Sequence, residues 1–106
     1  MKSFGLSLIL MVLVLYGCSK SEGQLLFERT CAVCHGLSGK GDGFYAKKLN
    51  IKPADLTSET IQNKSDADLK KIILEGKPET AMSPHQLSLE ELNSLVKFIR
   101  TFAPAR

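Results

Sequence analysis

The sequence predicts an all-α domain, and three observations lead there. Two segments, around Leu69–Ile73 and Leu92–Phe102, repeat apolar residues at helical spacing and carry their own start and stop signals. No stretch alternates apolar and polar residues as a half-buried strand would. The intervening segments are punctuated by glycine and proline, which places them in loops.

The chain has 106 residues, enough for one domain. Its first part is not domain material. "MKSFGLSLILMVLVLYGC" has a basic residue at Lys2, an apolar run from Phe4 to Leu15 and a small residue just before Cys18, the layout of a secretory signal. The apolar run falls short of the roughly 20 residues that a spanning helix needs, so an uncleaved anchor is the less favoured reading. "LYGC" resembles the bacterial lipobox, in which the cysteine is lipidated and becomes the first mature residue; Tyr16 stands where that pattern has a small or aliphatic side chain. The resemblance implies a signal over residues 1–17, a short lipidated linker over 18–22 and a domain over 23–106, held to a bacterial membrane by acyl chains on Cys18 and facing the periplasm or cell exterior. By the sorting rule for Gram-negative lipoproteins, in which Asp after the cysteine retains the protein at the inner membrane, Ser19 favours the outer membrane if the cell is Gram-negative.

Each element follows in order. "GQLLFERTCAVC" predicts a helix of about three turns, with Leu26 and Phe27, and Leu25 beside them, on its buried side. Gly36, Gly39, Gly41 and Gly43 make the next segment a loop, with a short helix around Phe44–Leu49 and a turn at Pro53. Ser65 caps a helix over "DADLKKIILE", whose first-turn Asp66 and Asp68 complement the helix dipole. Leu69, Ile72 and Ile73 form its apolar stripe; Gly76 ends it and Pro78 prevents resumption. Ser88 and Glu91 form a capping box ahead of the last helix. Leu92, Leu95, Val96, Ile99 and Phe102 make its buried face, and Ala103 and Pro104 end it.

This design is thin. The mature chain has fewer than ninety residues and no Trp. Domains of that size bury only about 60% of their unfolded surface, so a non-protein apolar group is expected at the centre. The motif "CAVCH" names it. Cys31-x-x-Cys34-His35 reads as a c-type haem attachment site. One helical turn sets both sulfurs on one edge of the porphyrin, as thioethers to its two vinyl groups, and His35 follows directly to reach the iron. Two other readings use the same residues: a thioredoxin-like dithiol, which expects a βαβ context, and a zinc site using Cys31, Cys34 and a distant His85. The odd cysteine count fits haem, because Cys31 and Cys34 share one covalent site and lipid accounts for Cys18.

An iron with one His ligand has a sixth position to fill. Met1 and Met11 lie in the signal, which leaves Met82, in the loop "TAMSPHQL". Filler for a core is the ordinary fate of methionine, and His85 is the competing ligand. Met/His ligation raises the reduction potential and suits electron transfer.

From Gly23 to Phe102 the chain resembles a small class I bacterial cytochrome c. The resemblance rests on "GQLLF" before the cysteines, "CAVCHG", "GKGDG" with "KPADL", "DLKKIILEGK" and "AMSPHQLSLEELNSLVKFIR". It implies three main helices and long loops wrapped around one covalent haem, with Cys31 and Cys34 as thioether residues, His35 as proximal ligand and Met82 as distal ligand. It also implies that Gly23 and Phe27 lie at the crossing of the first and last helices. Two positions depart from the family pattern. Phe44 stands where a proline commonly follows "GDG", and Phe98 where the last helix usually carries Tyr or Trp.

The resemblance implies a membrane-tethered electron carrier that turns over no substrate and exchanges single electrons with redox protein partners. A haem-bearing accessory subunit of a membrane oxidase or dehydrogenase fits the short tether, and a haem enzyme or gas sensor would require Met82 not to bind. Lys40, Lys47, Lys48 and Lys52 cluster after the motif and could steer acidic partners or simply be solvated. Net charge is only +3, and without Lys2 the 14 basic residues become 13 against 11 acidic. With no basic run interleaved with aromatics, that balance excludes a nucleic-acid binder.

Overall fold

Ser21 starts the first helix: its hydroxyl accepts from the backbone N–H of Gln24 at 3.1 Å. The computed structural model describes residues 19–105, so the expected signal and the lipidation site Cys18 lie outside the described residues. Helix α1 (Glu22–Leu26) runs through a π-helical turn (Phe27–Cys31) into α2 (Ala32–His35). There follow α3 (Phe44–Lys48), α4 (Glu59–Gln62), α5 (Asp66–Glu75) and α6 (Leu89–Arg100), with no strand among the described residues. The all-α expectation holds, as do the short helix at Phe44 and the bounds of α5; α6 starts where expected and ends at Arg100, short of the expected stop at Ala103 and Pro104. The short helix α4 is an addition, capped by Ser58, whose hydroxyl accepts from Ile61 N–H at 3.3 Å.

The fold closes where α1 crosses α6. The Gly23 N–H donates to Ser94 Oγ at 2.7 Å, and a Cβ at Gly23 would overlap the Ser94 carbonyl oxygen. Only glycine lets the two backbones approach so closely. Phe27, one turn on, is fully buried and packs against Phe98 and Phe102 at ring-centroid distances of 5.4 and 5.1 Å. Tilted aromatic pairs of this kind add roughly 0.5–1.5 kcal/mol beyond their buried area. Phe98 therefore supplies the ring expected of its position without a hydroxyl. Leu92, Leu95, Val96 and Ile99 are buried as their spacing predicts, and so are Leu69 and Ile73 of α5. Leu25 corrects the expectation: it is 45% exposed, because the crossing at Gly23 turns Leu26 and Phe27 inward and leaves Leu25 on the outer side.

Arg100 ties the end of α6 to the approach to α5. Its guanidinium donates to the carbonyls of Gln62 (2.8 Å) and Lys64 (2.6 Å) and to Asp66 Oδ1 (2.7 Å). Gln62 Nε2 in turn donates to the carbonyls of Leu56 and Ile99, at 2.7 and 3.1 Å. The loop between α3 and α5 is thus sewn to the last helix by side chains.

The capping box at α6 forms as predicted. Ser88 Oγ accepts from Glu91 N–H at 3.1 Å, and Glu91 Oε1 accepts from Ser88 N–H at 3.0 Å. The Ser88 hydrogen bonds hold the Glu91 carboxyl below its usual value of 4.5. A depressed carboxyl stabilises the fold above that unfolded value, and the contribution is lost as pH falls through the folded pKa. Glu91→Gln keeps a partner for the Ser88 N–H but does not ionise. Thermal unfolding of the holoprotein should therefore show a wild-type advantage at pH 7 that shrinks at pH 3; a gap independent of pH would contradict this assignment.

Candidate functional site

The site is built at the end of the first helical run. Through the π turn, the Ala32 N–H bonds back to the Phe27 carbonyl, an i→i−5 bond. Phe27 and Ala32, five apart, are thereby both buried, while Cys31, Cys34 and His35 remain half-buried at the helix end. Single π turns of this kind recur at functional sites, and neither propensity nor periodicity had marked this one.

The loop after the motif folds back onto it. Gly36 N–H donates to Ala32 O at 2.8 Å, Gly41 N–H to His35 O at 2.7 Å and Gly43 N–H to Cys34 O at 3.0 Å. These bonds satisfy carbonyls that the end of α2 would otherwise leave open. Leu56 N–H donates to Gly39 O at 2.7 Å, which lays the "PADL" segment along the glycine loop.

That segment orients the histidine. Nδ1 of His35 lies 3.2 Å from the Ala54 carbonyl oxygen. A carbonyl only accepts, so the proton resides on Nδ1 and the Nε2 lone pair is left for a metal. Burial lowers the His35 pKa, opposed by the Ala54 bond, so the ring is neutral at neutral pH. The acceptor comes from Ala54, next to Pro53 and nineteen residues along the chain. Phe44 takes no part in orienting His35. Its ring is 71% exposed, beside Tyr45 at 5.9 Å and beneath Lys48 at 6.0 Å.

Cys31 and Cys34 are free thiols. Burial, and then the neighbouring Cys34, push the Cys31 thiol up to about 11, so it is protonated at neutral pH. Cys31 and Cys34 would hold a haem through thioethers, each thiol supplying its sulfur and its proton to one vinyl double bond; no disulfide joins the two sulfurs.

The distal loop is fixed through its backbone. Lys77 N–H donates to Met82 O at 3.0 Å, and Met82 N–H donates to Thr80 Oγ1 at 3.2 Å. The loop sits on Gly76, whose φ of +71° suits glycine and whose missing Cβ would lie 2.6 Å from the Met82 carbonyl oxygen. The Met82 side chain is half-buried. His85 is held differently. Its backbone N–H and its ring Nδ1 both reach the Ile73 carbonyl, at 3.2 and 3.3 Å, and so serve a carbonyl near the end of α5.

The competing readings lose their geometry. Among the described residues no three His, Cys, Asp or Glu side chains converge as a metal-holding group, so Cys31, Cys34 and His85 make no zinc site. With no strand among the described residues, the dithiol reading lacks its βαβ frame. Two thiols on one turn and a neutral imidazole beside them fit a porphyrin, which takes the sulfurs at its edge and the nitrogen at its metal. The hydroxyl and N–H of Thr57 hold the Asp55 carboxyl below its usual value, with Lys40 a lesser contributor, and Lys47 and Lys48 lie at the exposed end of α3.

Comparisons with known proteins agree with this geometry. The family model described as cytochrome c matches residues 21–103. Cytochrome c-554(547) of Halothiobacillus neapolitanus is 30% identical over 85 residues, covering 76% of this chain and 93% of that protein. A solved structure, the KustC0563 c-type cytochrome, superposes with a TM-score of 0.64 at 29% identity, covering 77% of this chain and 98% of that one. With its thiol pair and neighbouring imidazole set on the turn where that family attaches its cofactor, the chain belongs to the cytochrome c family as a small class I member and carries haem c on Cys31 and Cys34.

Proposed function

We propose that this protein is a membrane-tethered, mono-haem electron carrier whose iron is held between His35 and Met82. The observation that carries the reading is the Nδ1–H of His35 donated to the Ala54 carbonyl, which fixes the tautomer and turns Nε2 into a ligand. Met82 is the distal ligand in this proposal, supported by its half-buried side chain and its doubly bonded loop. Haem iron supplies a one-electron couple. The chain's residues orient the imidazole, shield the site and leave no open coordination position, so no substrate is turned over.

The proposal includes cleavage of residues 1–17 and lipid on Cys18. Only Ser19, Lys20 and Ser21 then separate the lipid from Glu22, and Lys20 is drawn back to Glu28 at 2.8 Å. That short tether also suits an accessory subunit of an oxidase or dehydrogenase; co-migration with a large enzyme in mild detergent would favour the subunit over the free carrier.

Met82→Ala tests the ligand. The oxidised wild-type protein should show a methionine–iron charge-transfer band, and the variant should lack it, with a lower reduction potential. A band that survives the substitution would remove Met82 from the iron.

A further inference from the structure

We propose that His85 is the positioning residue of the distal loop: it clasps that loop to the end of α5 and so sets how readily a foreign ligand displaces Met82 from the iron. The role rests on Met82 being the distal ligand.

The clasp is an exchange of hydrogen bonds. In a continuing helix the Lys77 N–H would serve the Ile73 carbonyl, one turn back. Gly76, with its φ of +71°, turns the chain out of α5, and the Lys77 N–H goes to the Met82 carbonyl at 3.0 Å instead. The Ile73 carbonyl is left open by that turn. His85 takes it twice, through its backbone N–H at 3.2 Å and its ring Nδ1 at 3.3 Å. The helix end thus gives its donor to Met82 and its acceptor to His85. Ile73 is itself buried, so the loop is fastened to a close-packed part of the molecule.

The rest of the loop is loosely held. Of residues 77–86 only Met82 and His85 are half-buried, and the others are exposed. The bonds of Thr80 are local: its hydroxyl donates to the Lys77 carbonyl at 2.7 Å and accepts from the Met82 N–H at 3.2 Å. Glu79 holds a φ of +64°, a conformation that a residue other than glycine keeps only where its surroundings impose it. The His85 ring is the side chain that ties this segment to α5. A carbonyl only accepts, so Nδ1 carries the proton and any side chain with an N–H at that place can serve.

The oxidised, full-length holoprotein tests this with imidazole as the incoming ligand. Loss of the methionine–iron charge-transfer band after mixing with excess imidazole reports opening of the loop. In His85→Leu, which keeps apolar bulk and loses the N–H, the band should disappear about fivefold faster. His85→Asn, whose side-chain N–H branches from Cγ as Nδ1 does, should bring the rate back toward the wild type. Ser94→Ala, which loosens the fold at the α1–α6 crossing, should leave the rate unchanged. Should His85→Leu fail to accumulate with haem, His85→Ala carries the same expectation. Exchange at the wild-type rate in the variants lacking the N–H would overturn the clasp and leave Met82 as the ligand. So would an Asn variant as fast as the Leu variant, or an equal acceleration in Ser94→Ala. A wild-type protein without the band would bring down the Met82 reading, and the clasp with it.

Discussion

A Cys31→Ser/Cys34→Ser double variant, exported with a working haem-ligation system, is expected to retain no haem on a denaturing gel and to lose its cooperative thermal transition. The reason is the size of the core. Phe27 and Leu95 are its largest fully buried side chains, and no disulfide joins the described cysteines. A ligand bound only to the native state stabilises it by mass action, and a covalent one cannot be diluted away. Without the thioethers, His35 is the only haem-binding group left in the motif, and folding has to rest on a core that is marginal for this length. Each single variant should keep one thioether and melt between the two extremes. A double variant that melts like the wild type would show that the polypeptide folds without its staple.

Gly23→Ala should be the most damaging single substitution outside the motif. The new methyl would overlap the Ser94 carbonyl, backbone rather than a movable side-chain tip, so α1 and α6 must separate. Overpacking typically costs about 1–3 kcal/mol, and more where backbone must shift. Separation also weakens the 2.7 Å Gly23–Ser94 hydrogen bond, worth about 1 kcal/mol net. The sum, about 2–4 kcal/mol, is a large part of the 5–15 kcal/mol typical of a domain. It would appear as a fall in the melting temperature of the holoprotein with an unchanged absorption spectrum. Ser94→Ala removes the hydrogen bond and not the close approach, so it should cost about 1 kcal/mol. Equal losses in the two variants would contradict the steric account.

Much of this architecture is local and was therefore legible. Ser65 and Ser88 cap their helices through their own hydroxyls, and an apolar stripe with a cap before it and a glycine after it fixes a helix within a few residues. The attachment motif is equally local, because its three chemical groups sit on adjacent turns. What escaped depends on distant partners. The π turn exists because Phe27 and Ala32 are both drawn into the core, which is a packing outcome rather than a preference of "FERTC". Ala54 becomes the acceptor for His35 nineteen residues away only after Leu56 has paired with Gly39. Arg100 gathers two carbonyls and a carboxylate from residues more than thirty positions earlier, partners that its own stretch of sequence does not announce. Leu25 was misplaced for a related reason: a run of apolar residues does not say which one the crossing partner will cover.

The most direct test is mass spectrometry of the exported protein after tryptic digestion. Cleavage at Arg29 and Lys40 releases Thr30–Lys40, a peptide that contains both Cys31 and Cys34. That peptide should carry the mass of a single haem, bound through both sulfurs. Recovery of the same peptide with two free thiols, from protein processed by a competent ligation system, would contradict the account at its centre.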